Sequence, residues 1–300
     1  MPLFTFQFSA MGSPCSLQLY SPDDTLAENH FRWARKEVER LEQKYSRYRM
    51  DSVLTRINQA AGKYAVPIDH ETASLLRYAD TCHLQSEGLF DITSGVLRRI
   101  WNFRQAVLPS QADIDAILPL IGWDRVQWNP KELVLPQEGM ELDFGGIVKE
   151  YAVDTLVNHM RSSGVHAGVV ELGGDVGVIG PHPDGEPWTI GVRDPIKREN
   201  ALATVQIEKG AVATSGDYER YFEMNGERFS HLLNPKTGWP VKGLRAVSVH
   251  APLCTVAGSV TTIAMLKPVA EAIEWLNDLE LPYLCISMSG EISGSLANRS

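Results

Sequence analysis

Phe4, Phe6 and Phe8 alternate with polar positions, and Cys15, Leu17 and Leu19 resume the alternation after a Met11-Gly12-Ser13-Pro14 break. A period of two marks half-buried strands, so the chain is predicted to open on a strand pair. From 25 to 45, Leu26, Trp33, Val38 and Leu41 stand among many charges, the pattern of an amphipathic helix with a solvated face. Shorter helices are predicted over 52–59 behind an Asp51-Ser52 cap, over 70–87 ending at Gly88, and over 111–119. Residues 88–103, GLFDITSGVLRRIWNF, predict a turn running into a helix, with Thr93 and Ser94 as caps and Trp101 and Phe103 in the core. A hairpin over 125–136 would close around Asn129-Pro130.

The second half begins with a helix over 146–163 that stops at Ser163-Gly164. Strands are predicted over 167–171, 174–180, 187–193, 201–208 and 210–214, then a hairpin over 218–230 turned at Asn225-Gly226. A strand at 245–250, helices at 254–266 and 269–279 split by Pro268, and a strand pair at 282–286 and 290–294 complete the chain. Strands and helices come in blocks, not in strict alternation, which predicts an α+β fold. With no repeat, low-complexity tract or linker, residues 1–300 read as a single domain.

With 300 residues, 44% of them hydrophobic, the chain can bury a sizeable core. A net charge of −9 argues against a general nucleic-acid binder but not against a small anion in a local basic pocket. Cys15, Cys82, Cys254 and Cys285 are far apart and read as buried reduced thiols, since structural zinc needs clustered ligands. The opening residues show no signal-peptide pattern, and no apolar run approaches the ~20 residues of a membrane helix. The expected compartment is the cytoplasm, with no membrane segment.

Chemistry concentrates first in ELDFGGIVKEYAVD, residues 141–154, which read as strand, tight turn and helix start. Paired glycines Gly145-Gly146 at a helix N-terminus would let a phosphate approach free backbone N–H groups, and Lys149 adds a positive charge. The same pair is also ordinary turn punctuation, and it matches neither GxGxxG nor a P-loop. Tyr45, Tyr48, Arg47 and Arg49 place aromatic rings beside guanidinium groups, suited to stacking on a flat ring system and pairing with phosphate, or to surface packing. Further polar turns fall at Glu171–Asp175, Arg193-Asp194-Pro195, Thr214–Tyr218 and His231–Gly238.

Taken in order, SRYRMDSVLTRIN, GLFDITSGVL, LDFGGIVKEYAVD, VELGGDVGV, WTIGVRDP, ATSGDYERYF, HLLNPKTGWPV and CTVAGSVTTIAM resemble the FAD:protein FMN transferases of the ApbE family. The resemblance runs from about residue 4 to the C-terminus. It implies a T-fold-like α+β domain with FAD bound between helices and loops and Mg²⁺ on its pyrophosphate. A serine or threonine hydroxyl of a target flavoprotein would attack the phosphorus nearer the flavin, leaving FMN attached and releasing AMP; some relatives hydrolyse FAD instead. By the same resemblance Tyr48, Asp143, Gly145, Gly146, Lys149, Glu171, Gly173, Gly174, Ser215, Asp217 and His231 contact FAD. His231 would be the general base and Lys149 would neutralise the phosphates.

Two positions depart from the family pattern. Its metal motif carries an aspartate and a threonine four residues apart on a helix; Thr262 is present, but Gly258 stands where the aspartate belongs. Only Thr262 and the carbonyl of Val148 remain as metal ligands, so Mg²⁺ binding is expected to be weak and to be strengthened by Gly258→Asp. Glu150 follows the lysine where the family usually has glycine. Residues two apart on a helix point to nearly opposite sides, so Glu150 is not expected to restore the carboxylate. Three readings follow: an active transferase, a non-catalytic FAD-binding protein, or an interaction scaffold without flavin. The intact glycine turn, Tyr48 and HxxNPxTG disfavour the last.

Overall fold

The computed structural model describes residues 1–194 and 201–296. The predicted strand pair is a hairpin of β1 (Leu3–Ala10) and β2 (Ser13–Tyr20), with Phe6 opposite Leu17 and Phe8 opposite Cys15. Helix α1 (Asp24–Tyr45) follows, opened by Asp23, whose side chain accepts from the Leu26 amide. Then come α2 (Val53–Gln59), capped by Ser52, the short β3 (Val66–Pro67) and α3 (His70–Gln85), capped by Asp69. Helix α4 (Gln111–Ile117) begins with a reciprocal Ser110–Asp113 capping box. Strands β4 (Gln127–Trp128) and β5 (Glu132–Val134) form the predicted small hairpin, which gains β3 as a third strand.

After α5 (Val148–Ser162) come β6 (Gly168–Leu172), β7 (Asp175–Gly180), β8 (Trp188–Arg193), β9 (Ala201–Ile207) and β10 (Gly210–Gly216). A hairpin of β11 (Tyr221–Met224) and β12 (Glu227–Ser230) turns at Asn225-Gly226, as predicted. The chain continues through β13 (Leu244–Ala251), α6 (Cys254–Leu266), α7 (Val269–Asp278), β14 (Tyr283–Ser287) and β15 (Ile292–Ser293). The central sheet has the order β1-β2-β6-β7-β10-β13-β14-β15, antiparallel throughout. This is the α+β architecture the blockwise pattern implied.

The sheet is covered on both faces. Val170 and Leu172 of β6 join the core formed with α1 and α5, while Val169 joins Trp188, Val205 and Ile207 beneath the β8–β9 ribbon. Close approach of α5 requires a glycine in β7, since a Cβ at Gly177 would lie 2.6 Å from Val153 Cγ1. Helix α6 packs on β10 and β13 and lies beside α5. All four cysteines are free and buried. Among the described residues no helix is long and apolar enough to cross a membrane.

Two local expectations are corrected. Residues 141–144 are not a strand: the Leu142 amide donates to Asn58 Oδ1 at 2.8 Å and the Asp143 amide to the Ile92 carbonyl at 2.8 Å. One side-chain amide and one loop carbonyl therefore take the place of a neighbouring strand. Residues 88–103 form only a 3₁₀ stretch, Ser94–Arg99. Thr93 is spent on Asp91 and on the Gly122 amide, so it caps no helix. Of the predicted Arg193-Asp194-Pro195 turn, Pro195 lies outside the described residues.

Candidate functional site

The first turn of α5 is the centre of the site. Asp143 turns its Oδ1 onto the Gly145 amide at 2.9 Å, and its other oxygen pairs with Arg47. Arg47 in turn donates to the Tyr48 hydroxyl at 2.9 Å, its guanidinium 5.0 Å from the ring centre. Tyr48 itself is 80% exposed, an aromatic face with room for a stacking partner. Asp143 is also gripped by the 3₁₀ stretch, because a Cβ at Gly95 would fall 2.6 Å from Asp143 Cβ. Gly145 is exposed, whereas Gly146 backs onto Phe90.

Lys149 reaches out of this turn to Asp175, the first residue of β7, which is 2% exposed. Its ammonium also lies 3.6 Å from Glu150 Oε1. Burial works against the charged lysine, but the two carboxylates outweigh it and raise its pKa above the ordinary value. Between β6 and β7 the chain turns at Gly173 and Gly174, both with positive φ (58° and 93°). Gly173 packs on Ser13 and the Lys149 stem; Gly174 faces open space. Glu171, on the strand leading into this turn, accepts from Ser16 Oγ at 3.1 Å.

Hydroxyl groups form the next wall. Ser215 Oγ, near the end of β10, lies 2.9 Å from Thr261 Oγ1 and 3.3 Å from Thr262 Oγ1 on α6. The Thr214 amide donates to Asp175 Oδ1 at 3.4 Å, which ties this wall to the Lys149 pair. Asp217 is buried beside Arg228, and burial raises its pKa despite the two nearby arginines, Arg228 and Arg245. The start of α6 is fixed by Asp154 of α5, whose carboxylate accepts from the Cys254 amide at 2.7 Å and the Thr255 amide at 2.9 Å.

His231 stands at the end of the β11–β12 hairpin. Its Nδ1 lies 3.2 Å from the Arg220 carbonyl, which only accepts, so Nδ1 carries the proton and Nε2 is left basic. Burial, then the charge of Arg220, lowers its pKa to about 4. The loop beyond it is anchored through Gly238, whose carbonyl accepts from Trp101 Nε1 at 2.8 Å. A groove of about 610 Å³ runs beside this loop between Gly88 and Lys236, but none of Lys149, Glu171 or Asp175 lines it.

A family profile decides what these turns belong to: that of the ApbE family matches residues 11–285. The chain belongs to the ApbE family. A Klebsiella pneumoniae protein described as a FAD:protein FMN transferase is 33% identical over 251 residues, covering 80% of this chain and 74% of its own length. The crystal structure of the Thermotoga maritima ApbE protein superposes with a TM-score of 0.91 at 29% identity, covering 99% of this chain and 98% of that one. The apo Pseudomonas stutzeri flavinyl transferase ApbE gives 0.88 at 27% identity, covering 99% and 95%.

Against the ApbE pattern, Glu150 lies nearer to position 258 than its place in the sequence suggests. Its side chain fills the space beside position 258: a Cβ on Gly258 would lie 2.5 Å from Glu150 Cγ and 3.1 Å from Glu150 Oε1. The rule about residues two apart compares side chains with side chains, whereas Val148 was to contribute its backbone carbonyl. The same contact bears on Gly258→Asp, because Glu150 would have to shift to admit a side chain at 258. Asp175 and Asp154, which sequence reasoning quoted without a role, hold Lys149 and α6 respectively. Their only signal was an acid at the edge of a glycine turn and another on the buried face of a helix. Among the described residues no three His, Cys, Asp or Glu side chains gather into a metal site of their own.

Proposed function

We propose that this chain is a FAD:protein FMN transferase, moving FMN from FAD to a serine or threonine hydroxyl of a target flavoprotein and releasing AMP. What carries the reading is Lys149, a cation at the first turn of α5, held from behind by Asp175 and flanked by the open Gly173-Gly174 turn. The substrate pyrophosphate would lie against the exposed Gly145 end of α5 and this ammonium. Tyr48 would cover a ring of FAD, while Glu171, Ser215 and Asp217 would border the same ligand. The acceptor oxygen bonds to the phosphorus nearer the flavin as the bond from that phosphorus to the bridging oxygen breaks. The acceptor's proton passes to His231 Nε2, and AMP departs.

The family's Mg²⁺ suits the donors present. Hydroxyls of Ser215, Thr261 and Thr262 gather at α6, and the buried Glu150 Oε2 against the same helix has no hydrogen-bond partner. Thr262 and the Val148 carbonyl would hold the ion, whose chemistry is to neutralise pyrophosphate oxygens. On this reading residues 1–300 act as a single catalytic unit.

The test is incubation with FAD, Mg²⁺ and a flavoprotein domain bearing a flavinylation serine or threonine. In-gel flavin fluorescence on the acceptor supports the transferase. AMP release without labelling means a hydrolase, and binding without AMP release means a non-catalytic flavin protein.

A further inference from the structure

Glu150 is a carboxylate with one oxygen unaccounted for. The residue is 7% exposed; Oε1 faces Lys149 at 3.6 Å, and Oε2 has no hydrogen-bond partner. A buried carboxylate oxygen without a hydrogen-bond donor is costly to keep. Such a group persists where something else supplies the missing contact.

The surroundings say what that is. Glu150 occupies the space beside Gly258, the position from which the family pattern sends an aspartate, and Gly258 is the residue type that leaves that space free. Four residues on stands Thr262, whose hydroxyl meets Ser215 Oγ at 3.3 Å. Thr261 Oγ1 donates to the Gly258 carbonyl at 2.8 Å, so the hydroxyls of this turn of α6 and the carboxylate both lie about residue 258. Val148, with its carbonyl, precedes Glu150 on α5. One carboxylate with neutral oxygens and substrate phosphates is the donor set of a magnesium ion.

We propose that Glu150 replaces the missing aspartate: the carboxylate has moved from α6 to α5, and its Oε2 is a ligand for the divalent cation bound with FAD. Glycine at 258 and glutamate at 150 are then one paired exchange and not two separate losses. The inference rests on the flavin-transferase reading, but it assigns the metal carboxylate within it.

Mn²⁺ serves as the probe, followed by electron paramagnetic resonance with FAD saturating, while FAD affinity is measured separately by calorimetry in EDTA. Wild type is expected to bind one Mn²⁺. Glu150→Gln, nearly isosteric, is expected to weaken Mn²⁺ at least about tenfold while leaving FAD affinity in EDTA unchanged. Glu150→Gly with Gly258→Asp returns the carboxylate to α6 and is expected to restore Mn²⁺ affinity to within about threefold. Gly258→Asp alone crowds two carboxylates together and should melt below the double variant. Unchanged Mn²⁺ binding in Glu150→Gln, or a folded double variant that does not recover, overturns the proposal. So does wild type that binds FAD but no Mn²⁺, which leaves the flavin reading intact. Absence of FAD binding in both EDTA and Mn²⁺ overturns the flavin reading itself.

Discussion

Replacing Lys149 by methionine isolates the charge balance on which the site is built. The ammonium is the partner of Asp175 and lies 3.6 Å from Glu150, and both carboxylates are buried, at 2% and 7% exposure. Methionine keeps the length of the stem along Gly173 but leaves two acids facing each other. Breaking a buried ion pair costs about 3–5 kcal/mol. The Lys149 side chain is 26% exposed, so water reaches the gap and the low end, about 3 kcal/mol, is expected at pH 8. The loss should shrink on acidification. Burial already raises the Glu150 pKa, and the lysine's charge holds it down. Without the lysine it rises further. An acid whose folded pKa exceeds its unfolded value keeps its full stability below the unfolded pKa and loses it as pH climbs through the folded one. Each unit of rise is worth about 1.4 kcal/mol, so at pH 5 the deficit should fall to about 1–2 kcal/mol. Urea melts at the two pH values, with midpoints compared at constant slope, read this directly. A deficit below about 1 kcal/mol at pH 8, or one equal at both pH values, would refute the ion-pair account.

Other expectations follow from single contacts. Tyr48→Ala, at an exposed ring, should change stability by less than about 0.5 kcal/mol yet weaken FAD binding about tenfold through lost stacking of roughly 1–1.5 kcal/mol; calorimetry decides, and equal affinity would remove the ring from the flavin site. With His231 as base and its pKa lowered to about 4, kcat/KM should hold down to about pH 5, its acid limb following the neutral imidazole of the free enzyme. A limb at the ordinary histidine value of about 6.5 would show that Arg220 and burial do not act as argued. Asp154→Ala strips two amides at the start of α6 of their acceptor and should cost about 1–2 kcal/mol, with Asp154→Asn recovering part of it in the same urea assay. The four buried thiols should resist Ellman's reagent until denaturant is added; rapid reaction of native protein would contradict their burial.

Periodicity made most of this fold legible, because both faces of the central sheet are buried in a regular way. The alternation of Phe4, Phe6 and Phe8 and the turn at Asn225-Gly226 predict hairpins that the structure contains. Local pattern fails where pairing comes from outside the segment. Leu142-Asp143-Phe144 has the residues of a strand, yet its neighbours are the Asn58 amide and the Ile92 carbonyl. Asn58 and Ile92 lie far back in the chain, and nothing beside Asp143 announces either. The short β3 was invisible for a related reason: two residues carry no period, and they are a strand only because Leu133 and Glu132 lie opposite. For the candidate site, motif order singles out Lys149, Gly173, Gly174 and Ser215, but not what supports them. Asp175 was quoted as a turn residue, and its link to Lys149 spans twenty-six positions that no local spacing encodes.

The packing of α5 beside α6 explains why a carboxylate on either helix could enter the space beside residue 258. Asp154 caps α6 from α5, so the two cannot slide past each other without losing that cap. Gly177 lets α5 settle onto the sheet, where a Cβ would meet Val153 at 2.6 Å. With the helices fixed, the gap beside residue 258 holds one acidic side chain. An aspartate on α6 fills it from a short stem; a glutamate on α5 fills it from a longer one, provided that residue 258 has no Cβ. A side chain at 258 and the glutamate at 150 therefore compete for one space. A chain with glycine at both would keep the pocket but lose the carboxylate. In such a Glu150→Gly variant FAD binding in EDTA should survive while Mn²⁺ binding disappears, and loss of both together would mean that Glu150 supports the fold and not the cation.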